Sequence, residues 1–269
     1  MDTIQIIQII LTGIGAGLFA GMFGIGGGIV ILPVLIVAMK WDVYLAVGTS
    51  LGALLLPTNF GALNNYRKRG FLFIKGSLLV AIGMILGNYL GATFALEVGG
   101  ILVKILFGIY QVFIGIRYIK PKQIFKKILK KEIILEKEPI YNDVENIRFY
   151  VFLIGGICAG ILAGMFGIGG GLIITILLIN AYKISPKQAV AISLAAMFLP
   201  TGIAGTIIYY NADYVNVTAA ILIAVGIELG SNISSRVALK MEQEVFKQIF
   251  GVFLFVLGWY FIVESFIKF

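Results

Sequence analysis

The nine-residue sequence AGMFGIGGG occurs twice in this chain, at residues 20–28 and again at residues 163–171. Glycine accepts the unusual dihedral angles of an unwound turn, and a run of glycines leaves its backbone N–H groups uncovered by side chains. A short apolar segment follows each copy, and the N-terminus of a half-helix there adds a partial positive charge. Two such ends that face each other can bind an anion without a charged side chain. The predicted ligands are the backbone groups of Gly24, Gly26, Gly27, Gly28, Gly167, Gly169, Gly170 and Gly171.

The glycine run also has a packing interpretation, because small residues let membrane helices approach each other closely. The duplication of the whole run, together with the half-helix after it, favours a binding site, and packing is kept as the alternative. A phosphate-binding loop is excluded, since no Gly-Lys-Ser/Thr sequence follows either copy and no strand–helix unit flanks it.

Hydroxyl and amide side chains lie inside the apolar segments, several of them at matched positions of the two copies. They can donate hydrogen bonds to an oxyanion, and Pro57 and Pro200 free backbone groups nearby. Hydrogen bonding between helices is the alternative interpretation. The predicted lining residues are Ser50, Thr58, Asn59, Asn88, Ser193, Thr201 and Asn232.

Glu228 is the one carboxylate in the middle of a predicted membrane span. Burying a charge there is costly, so a protonated form or a water-filled path is expected. Glu228 is therefore a candidate for accepting a coupled proton. The alternative is a neutral, hydrogen-bonded structural glutamate.

The composition is that of an all-α, polytopic membrane protein. Of the 269 residues, 60% are hydrophobic and only 13% are charged, and apolar runs of membrane-spanning length recur along the chain. Each run must satisfy its own backbone hydrogen bonds, which predicts helices. With no histidine and one cysteine, Cys158, the chain lacks a cluster of catalytic or metal-binding side chains, so no enzyme, metal site or cofactor is predicted. Anionic lipid and cytoplasmic loops explain the net charge of +8 better than nucleic acid does.

Five apolar segments are predicted in each copy. In the first copy they are residues 4–21, 28–39, 43–66, 71–96 and 100–119, and in the second 148–164, 171–182, 187–210, 214–238 and 246–266. The second segment, about 12 residues or roughly 18 Å of helix, is too short to cross a hydrocarbon core of about 30 Å. Together with the first segment it is predicted to form a broken or re-entrant helix, with the glycines at the break.

The number of crossings predicts that the second copy is inverted. The broken pair contributes an even number of crossings or none, and the other three segments add three. Basic residues agree: Arg67, Lys68, Arg69 and Lys75 lie between the third and fourth segments of the first copy, whereas the same loop of the second copy has only Asp213. This predicts a multi-pass protein of the cell membrane with both termini outside.

Three regions follow from this division. Residues 1–119 form the first transmembrane repeat, residues 120–147 a basic cytoplasmic linker, and residues 148–269 the second repeat. Apolar residues at helical spacing predict that the linker is a solvated or interfacial amphipathic helix. A regulatory or partner-docking role is the alternative.

The pattern Gly-x-Phe-Gly-Ile-Gly-Gly-Gly, present near the start of each repeat, resembles the TauE/SafE family of sulfite exporters over both halves of the chain. The resemblance implies an integral membrane permease for sulfite, sulfonates or related organosulfur anions. One departure is that Pro33 follows the first motif while Ile176 takes its place after the second, so a kink in the second half-helix is not ensured.

The expected function is therefore that of a secondary transporter. It moves a small sulfur-containing oxyanion, such as sulfite or an organosulfonate, bound between the two glycine-rich breaks near the midplane. An anion channel, or a transporter of a different small anion, is the alternative. The expected partners are the anion, membrane lipid and a coupling proton or sodium ion; a homo-oligomer is left open, and no nucleic acid is expected.

Overall fold

The computed structural model describes residues 3–118, 143–239 and 244–267, and every regular element in these ranges is helical. The predicted all-α class is confirmed, and the ends of the helices agree with the predicted segments to within a few residues. Most of the predicted amphipathic linker lies outside the described residues. The twelve described α-helices are α1 Thr3–Phe23, α2 Gly28–Pro33, α3 Val43–Leu55, α4 Phe60–Arg67, α5 Ile74–Val98, α6 Gly100–Tyr118, α7 Phe149–Phe166, α8 Gly171–Asn180, α9 Pro186–Phe198, α10 Ile203–Asn211, α11 Val217–Ala238 and α12 Glu244–Ile267.

Helices α2 and α8 are the short half-helices that follow the glycine runs. Helix α8 is a regular α-helix of 10 residues. Helix α2 changes to a wider π-helical turn at Val34–Ala38, directly after Pro33. Proline has no N–H group to donate, so the α-helical hydrogen bond of its turn is lost, whereas Ile176 keeps that bond in the second half-helix. The departure at position 33 thus changes the winding of one half-helix.

The third segment of each repeat is a bent pair of helices, and not the single helix that its apolar run predicts. Helices α3 and α4 meet at 49°, and α9 and α10 at 46°. Before each proline, Leu56 and Leu199 leave the helical region, with ψ angles of 149° and 152°. A proline ring clashes with the α conformation of the residue before it, which explains both bends. Each repeat therefore has one break at glycines and a second at a proline.

By its contacts the chain divides into two compact units. The larger contains α1 to α5 and α7 to α11, and the smaller contains α6 and α12. Each unit thus combines corresponding helices of both repeats.

In the larger unit the first helix of each repeat packs against the fourth segment of the other repeat. Helix α1 lies parallel to α11, and α7 lies parallel to α5. Glycines form both contacts: a β-carbon at Gly17 would lie 2.8 Å from the Cα of Ile227, and one at Gly160 would lie 2.8 Å from the Cα of Met84. Gly17 and Gly160 match in the two repeats, so the two small-residue interfaces are equivalent.

In the smaller unit α6 and α12 pack antiparallel. A β-carbon at Gly108 would lie 2.8 Å from the carbonyl oxygen of Gly258, and one at Gly115 would lie 2.8 Å from that of Gly251. Gly108 matches Gly251 in the repeat, and Gly115 matches Gly258. An antiparallel pair of equivalent helices is the arrangement that an inverted second repeat requires. Inversion with respect to the membrane stays a prediction.

The helices have the length and surface of membrane spans. Five described helices are long and apolar enough to cross a membrane, or seven if each bent pair counts as one span. On the outer face of α11, Ile221, Val225, Leu229 and Ile233 are between 49% and 61% exposed. In water, such an exposed apolar stripe would promote aggregation, whereas in a membrane it can contact lipid. The chain is a multi-pass membrane protein.

Candidate functional site

Each glycine run forms a turn with left-handed backbone between two helices. L-residues with a β-carbon rarely adopt positive φ angles, so these positions require glycine. The breaks that the sequence predicts are therefore present in the structure. Positive φ angles between 65° and 83° occur at Gly24, Gly26, Gly27, Gly167, Gly169 and Gly170.

The two glycine breaks lie against each other inside the larger unit, and both are buried. A β-carbon at Gly169 would lie 3.8 Å from the Cα of Gly26. A β-carbon at Gly28 would collide with the carbonyl oxygen of Gly167, and one at Gly171 would collide with the carbonyl oxygen of Gly24. The structure thus brings the two predicted halves of the anion site into direct contact.

Backbone N–H groups at both breaks lack hydrogen-bond partners. Within the described ranges, no acceptor is found for the N–H groups of residues 26–28 or of residues 169–171. The first turn of a helix cannot supply such acceptors itself. The carbonyls differ: that of Gly27 accepts from Val30 at 3.0 Å, and that of Gly170 accepts from Ile173 at 3.1 Å. An array of free donors at two half-helix starts is chemically suited to an anion.

Ser50 and Ser193 hold the glycine breaks in place. Ser50 Oγ donates to the carbonyl of Gly167 at 2.7 Å, and Ser193 Oγ donates to the carbonyl of Gly24. Both bonds join one repeat to the other, and both serines are buried. A hydroxyl has one proton to donate, so in this arrangement each serine positions a break and presents no free donor. Direct donation from these serines to an anion stays a prediction.

Asn88 and Glu228 cap α10 and α4, the helices that follow the proline breaks. Asn88 Oδ1 accepts from the N–H of Gly205, in α10, at 2.7 Å. The carboxylate of Glu228 accepts from the N–H groups of Phe60 and Gly61, in α4, both at 2.8 Å. Each cap comes from the other repeat and satisfies donors at a helix start. Glu228 is half-buried, and its proton-coupling role stays a prediction.

The other predicted lining residues also lie at the proline breaks. Asn59 has a φ angle of 68°, and its Nδ2 donates to Thr58 Oγ1 at 3.2 Å; both residues are buried. Thr201 is buried at the equivalent break. Asn232 Oδ1 accepts from Asn65 at 3.4 Å, against the side of α4. The predicted set is therefore divided between the glycine breaks and the proline breaks.

Three residues outside the predicted set contact the glycine breaks or the last turn of the helix before each break. Tyr66 donates to the carbonyl of Gly21 at 3.3 Å, and Tyr209 donates to that of Gly164 at 3.1 Å. Both tyrosines are fully buried. Their identity at matched positions of the repeats was available in the sequence and would have singled them out. The third residue, Met197, contacts both glycine runs and has no identical counterpart.

The charge of an anion at these breaks would have to be balanced by the backbone. In the part of the chain that the structure describes, no lysine or arginine is among the buried residues. The half-helix ends and their N–H groups are then the local source of positive charge. No group of three or more His, Cys, Asp or Glu residues is placed to hold a metal ion in the same ranges.

Comparison with known proteins agrees with this architecture. Residues 9–261 match the family model described as sulfite exporter TauE/SafE. A probable membrane transporter protein of Methanocaldococcus jannaschii is 28% identical over 263 residues, covering 91% of this chain and 92% of that protein. Probable membrane transporter proteins of Bacillus subtilis and Xylella fastidiosa are 26% and 25% identical, each alignment covering 96% of this chain and 97% of the relative. No solved structure matches the chain. Because the family match spans nearly the whole helical chain, including both glycine breaks, the chain belongs to the TauE/SafE family and is a membrane transporter.

Proposed function

We propose that this chain is a secondary transporter that binds a small sulfur-containing oxyanion, such as sulfite or an organosulfonate, between its two glycine breaks. One observation supports the site above all others. The breaks touch, and each presents backbone N–H groups that have no acceptor among the described residues. Those of residues 26–28 and residues 169–171 start two separate half-helices.

An oxyanion matches these donors for a simple energetic reason. A buried N–H group without an acceptor costs on the order of 1–3 kcal/mol. An oxyanion has several oxygens that can accept from more than one donor at once, and the two half-helix ends favour its charge. The geometry thus supports an anion, whereas the choice of a sulfur compound rests on the description of the family.

The contact between the breaks also supports a position near the bilayer centre. If the repeats are inverted, they are related by an axis in the membrane plane. Equivalent segments related by such an axis can touch only close to it. Secondary transporters commonly bind their substrates at this depth, between broken helices of inverted repeats.

Transport by the purified protein in liposomes tests the proposal. Uptake of labelled sulfite, sulfate, thiosulfate and methanesulfonate is compared with uptake of phosphate, acetate and chloride. We expect saturable uptake of one or more sulfur oxyanions, accelerated when the same anion is present inside the liposomes. Such counterflow is a property of a carrier that exposes one site alternately to the two sides.

The other outcomes separate the alternatives. Conductive anion flux without counterflow identifies a channel. Saturable uptake of phosphate or acetate in place of the sulfur oxyanions identifies a transporter of a different anion. Absence of transport for the whole panel contradicts the proposed function.

A further inference from the structure

The side chain of Met197, on α9, fills the space between the two glycine breaks. A β-carbon at Gly169 would lie 2.6 Å from Met197 Cε, and one at Gly171 would lie 2.7 Å from its Sδ. One at Gly26 would collide with the same Cε. Met197 is only 4% exposed. A single thioether on a third helix therefore reaches both breaks.

The equivalent residue of the first repeat is Leu54, which is also buried. A β-carbon at Gly169 would lie 3.0 Å from Leu54 Cδ1. Leucine is shorter and branched, whereas methionine is unbranched and has three rotatable side-chain bonds, so it adapts to irregular space. The two repeats thus place different side chains at matched positions, and Met197 is the more adaptable of the two.

Helix α9 makes a fixed contact and a movable contact with the same site. Ser193 lies one helical turn before Met197, on the same face of α9. Its hydrogen bond to the carbonyl of Gly24 fixes the backbone against which the thioether packs. An oxyanion that accepts from the N–H groups of the breaks must bring oxygens to about 3 Å from their nitrogens. The thioether of Met197 packs against Gly26, Gly169 and Gly171, three of the glycines that carry those N–H groups.

We propose that Met197 is a movable plug that closes the anion site and limits the size of the anion that the transporter accepts. The inference rests on the proposed function, because it concerns the space between the same two breaks. When the thioether rotates away, the glycines leave no side chain in its place. The volume that it vacates then sets the room for the part of the anion that is not bonded to the N–H groups.

Competition between sulfonates of increasing length tests the plug. Uptake of labelled sulfite is measured in the presence of methanesulfonate, propanesulfonate or pentanesulfonate, for the wild type and for Met197→Ala. We expect the longer sulfonates to compete on the order of tenfold better against Met197→Ala, because apolar pockets discriminate methylene groups by about this factor or more. Met197→Phe, which enlarges the plug, should reduce sulfite uptake.

Two variants serve as controls. Met197→Leu copies Leu54 into the second repeat and should shift selectivity less than Met197→Ala does. Leu254→Ala removes buried apolar volume from α12, in the smaller unit, and should leave the preference for short sulfonates nearly unchanged. If Met197→Ala does not fold, Met197→Val takes its place because it removes less volume. Met197→Val is expected to shift selectivity toward longer sulfonates in the same direction, but by a smaller factor.

The results distinguish failure of the plug from failure of the proposed function. If the wild type transports sulfite and folded Met197→Ala or Met197→Val keeps the wild-type order of competitors, the plug is wrong and the anion site stands. If Leu254→Ala shifts selectivity as strongly as Met197→Ala, the effect is one of general packing and the plug is also wrong. If the wild type takes up none of the sulfur anions, the proposed function is wrong, and the plug, which rests on it, is wrong as well.

Discussion

The carboxylate of Glu228 accepts a hydrogen bond from the backbone N–H of Phe60 at 2.8 Å, across 168 residues of sequence. Its second oxygen accepts from the next N–H, that of Gly61, at the same distance. Both oxygens are thus engaged by the first turn of α4. The bonds give Glu228 a structural task beside the proton coupling that its position in a span suggests, and the two tasks predict different effects of substitution.

Substitution of Glu228 by glutamine should lower the stability of the protein. The amide oxygen of Glu228→Gln can accept from one of the two N–H groups, but its NH₂ group is a donor and repels the other. We expect a loss of about 1–2 kcal/mol, the size of a lost helix cap. Thermal unfolding in detergent measures this loss, and Asn88→Ala should give a comparable one by uncapping Gly205.

Glu97→Gln is the matched control for that experiment, because it makes the same change of charge at an exposed position near the end of α5. It should unfold like the wild type. Transport then separates the two tasks of Glu228. If Glu228→Gln keeps wild-type stability and substrate exchange but loses proton-driven accumulation, Glu228 couples a proton and the cap is incidental.

Removal of the hydroxyls at positions 50 and 193 should weaken the contact between the glycine breaks. In Ser50→Ala and Ser193→Ala, the buried carbonyls of Gly167 and Gly24 lose their donors from the opposite repeat. A buried polar group left without its partner costs on the order of 1–3 kcal/mol. Thermal unfolding of each variant and of the double variant in detergent measures this cost.

Ser265→Ala provides the comparison for these serines. Ser265 is buried, and its Oγ donates to the carbonyl of Phe261 in its own helix at 2.7 Å. That carbonyl lies within α12, where a backbone N–H can also satisfy it, so we expect a smaller loss than in Ser50→Ala. Equal losses of stability in all three variants would show that the serine hydrogen bonds between repeats stabilise the protein no more than one within a single helix does.

Glycines of α1 should differ sharply in their tolerance of alanine. At Gly17 the added methyl group would lie 2.8 Å from the Cα of Ile227, in the interface with α11, whereas at Gly15 no atom lies within 4 Å. Gly17→Ala should therefore destabilise the protein by about 1–3 kcal/mol. Gly15→Ala should be neutral or slightly stabilising, since alanine favours a helix by up to about 1 kcal/mol over glycine. Unfolding curves of the two variants decide the matter.

Inversion of the repeats predicts opposite exposure of two matched turns. Lys68 and Asn211 are exposed and hold equivalent positions at the C-terminal ends of the bent pairs. With Cys158 replaced by serine, single cysteines are introduced as Lys68→Cys and Asn211→Cys. A membrane-impermeant maleimide added to intact cells should label Asn211→Cys and should reach Lys68→Cys only after the membrane is permeabilised. Labelling of both cysteines from the same side would contradict inversion.

Much of the fold could be predicted from the sequence, because a membrane protein shows its spans as apolar runs and this chain shows most of them twice. The short half-helices follow from their length, and the glycine breaks from residues that alone tolerate positive φ. The bend at Pro57 was harder to predict. Its apolar run continues through the proline, and only the conformation of Leu56 reveals that the helix stops.

The site was predictable only in part, because hydrogen-bond partners depend on which helices meet. Ser50 reads as a free donor in the sequence, yet its proton is engaged by a carbonyl 117 residues away. Met197 reads as one more apolar residue, and only packing shows that it lies between the breaks. The direction in which each glycine would project a side chain is likewise a property of the folded backbone: at Gly27 it is toward Ala16 of α1, and not toward the opposite break.

The pairing of α1 with α11 has a consequence for biosynthesis. The contact joins Gly13 to Ile223, about 200 residues later in the chain, and α6 likewise packs only with α12 in the smaller unit. At roughly 5–20 residues per second, α1 waits on the order of 10–40 s after its own synthesis before its partner exists. Until then the glycine surface of α1 lacks the helix that covers it in the folded chain. Folding of this single chain therefore resembles the association of two subunits. Two half-chains expressed separately should associate through the same surfaces.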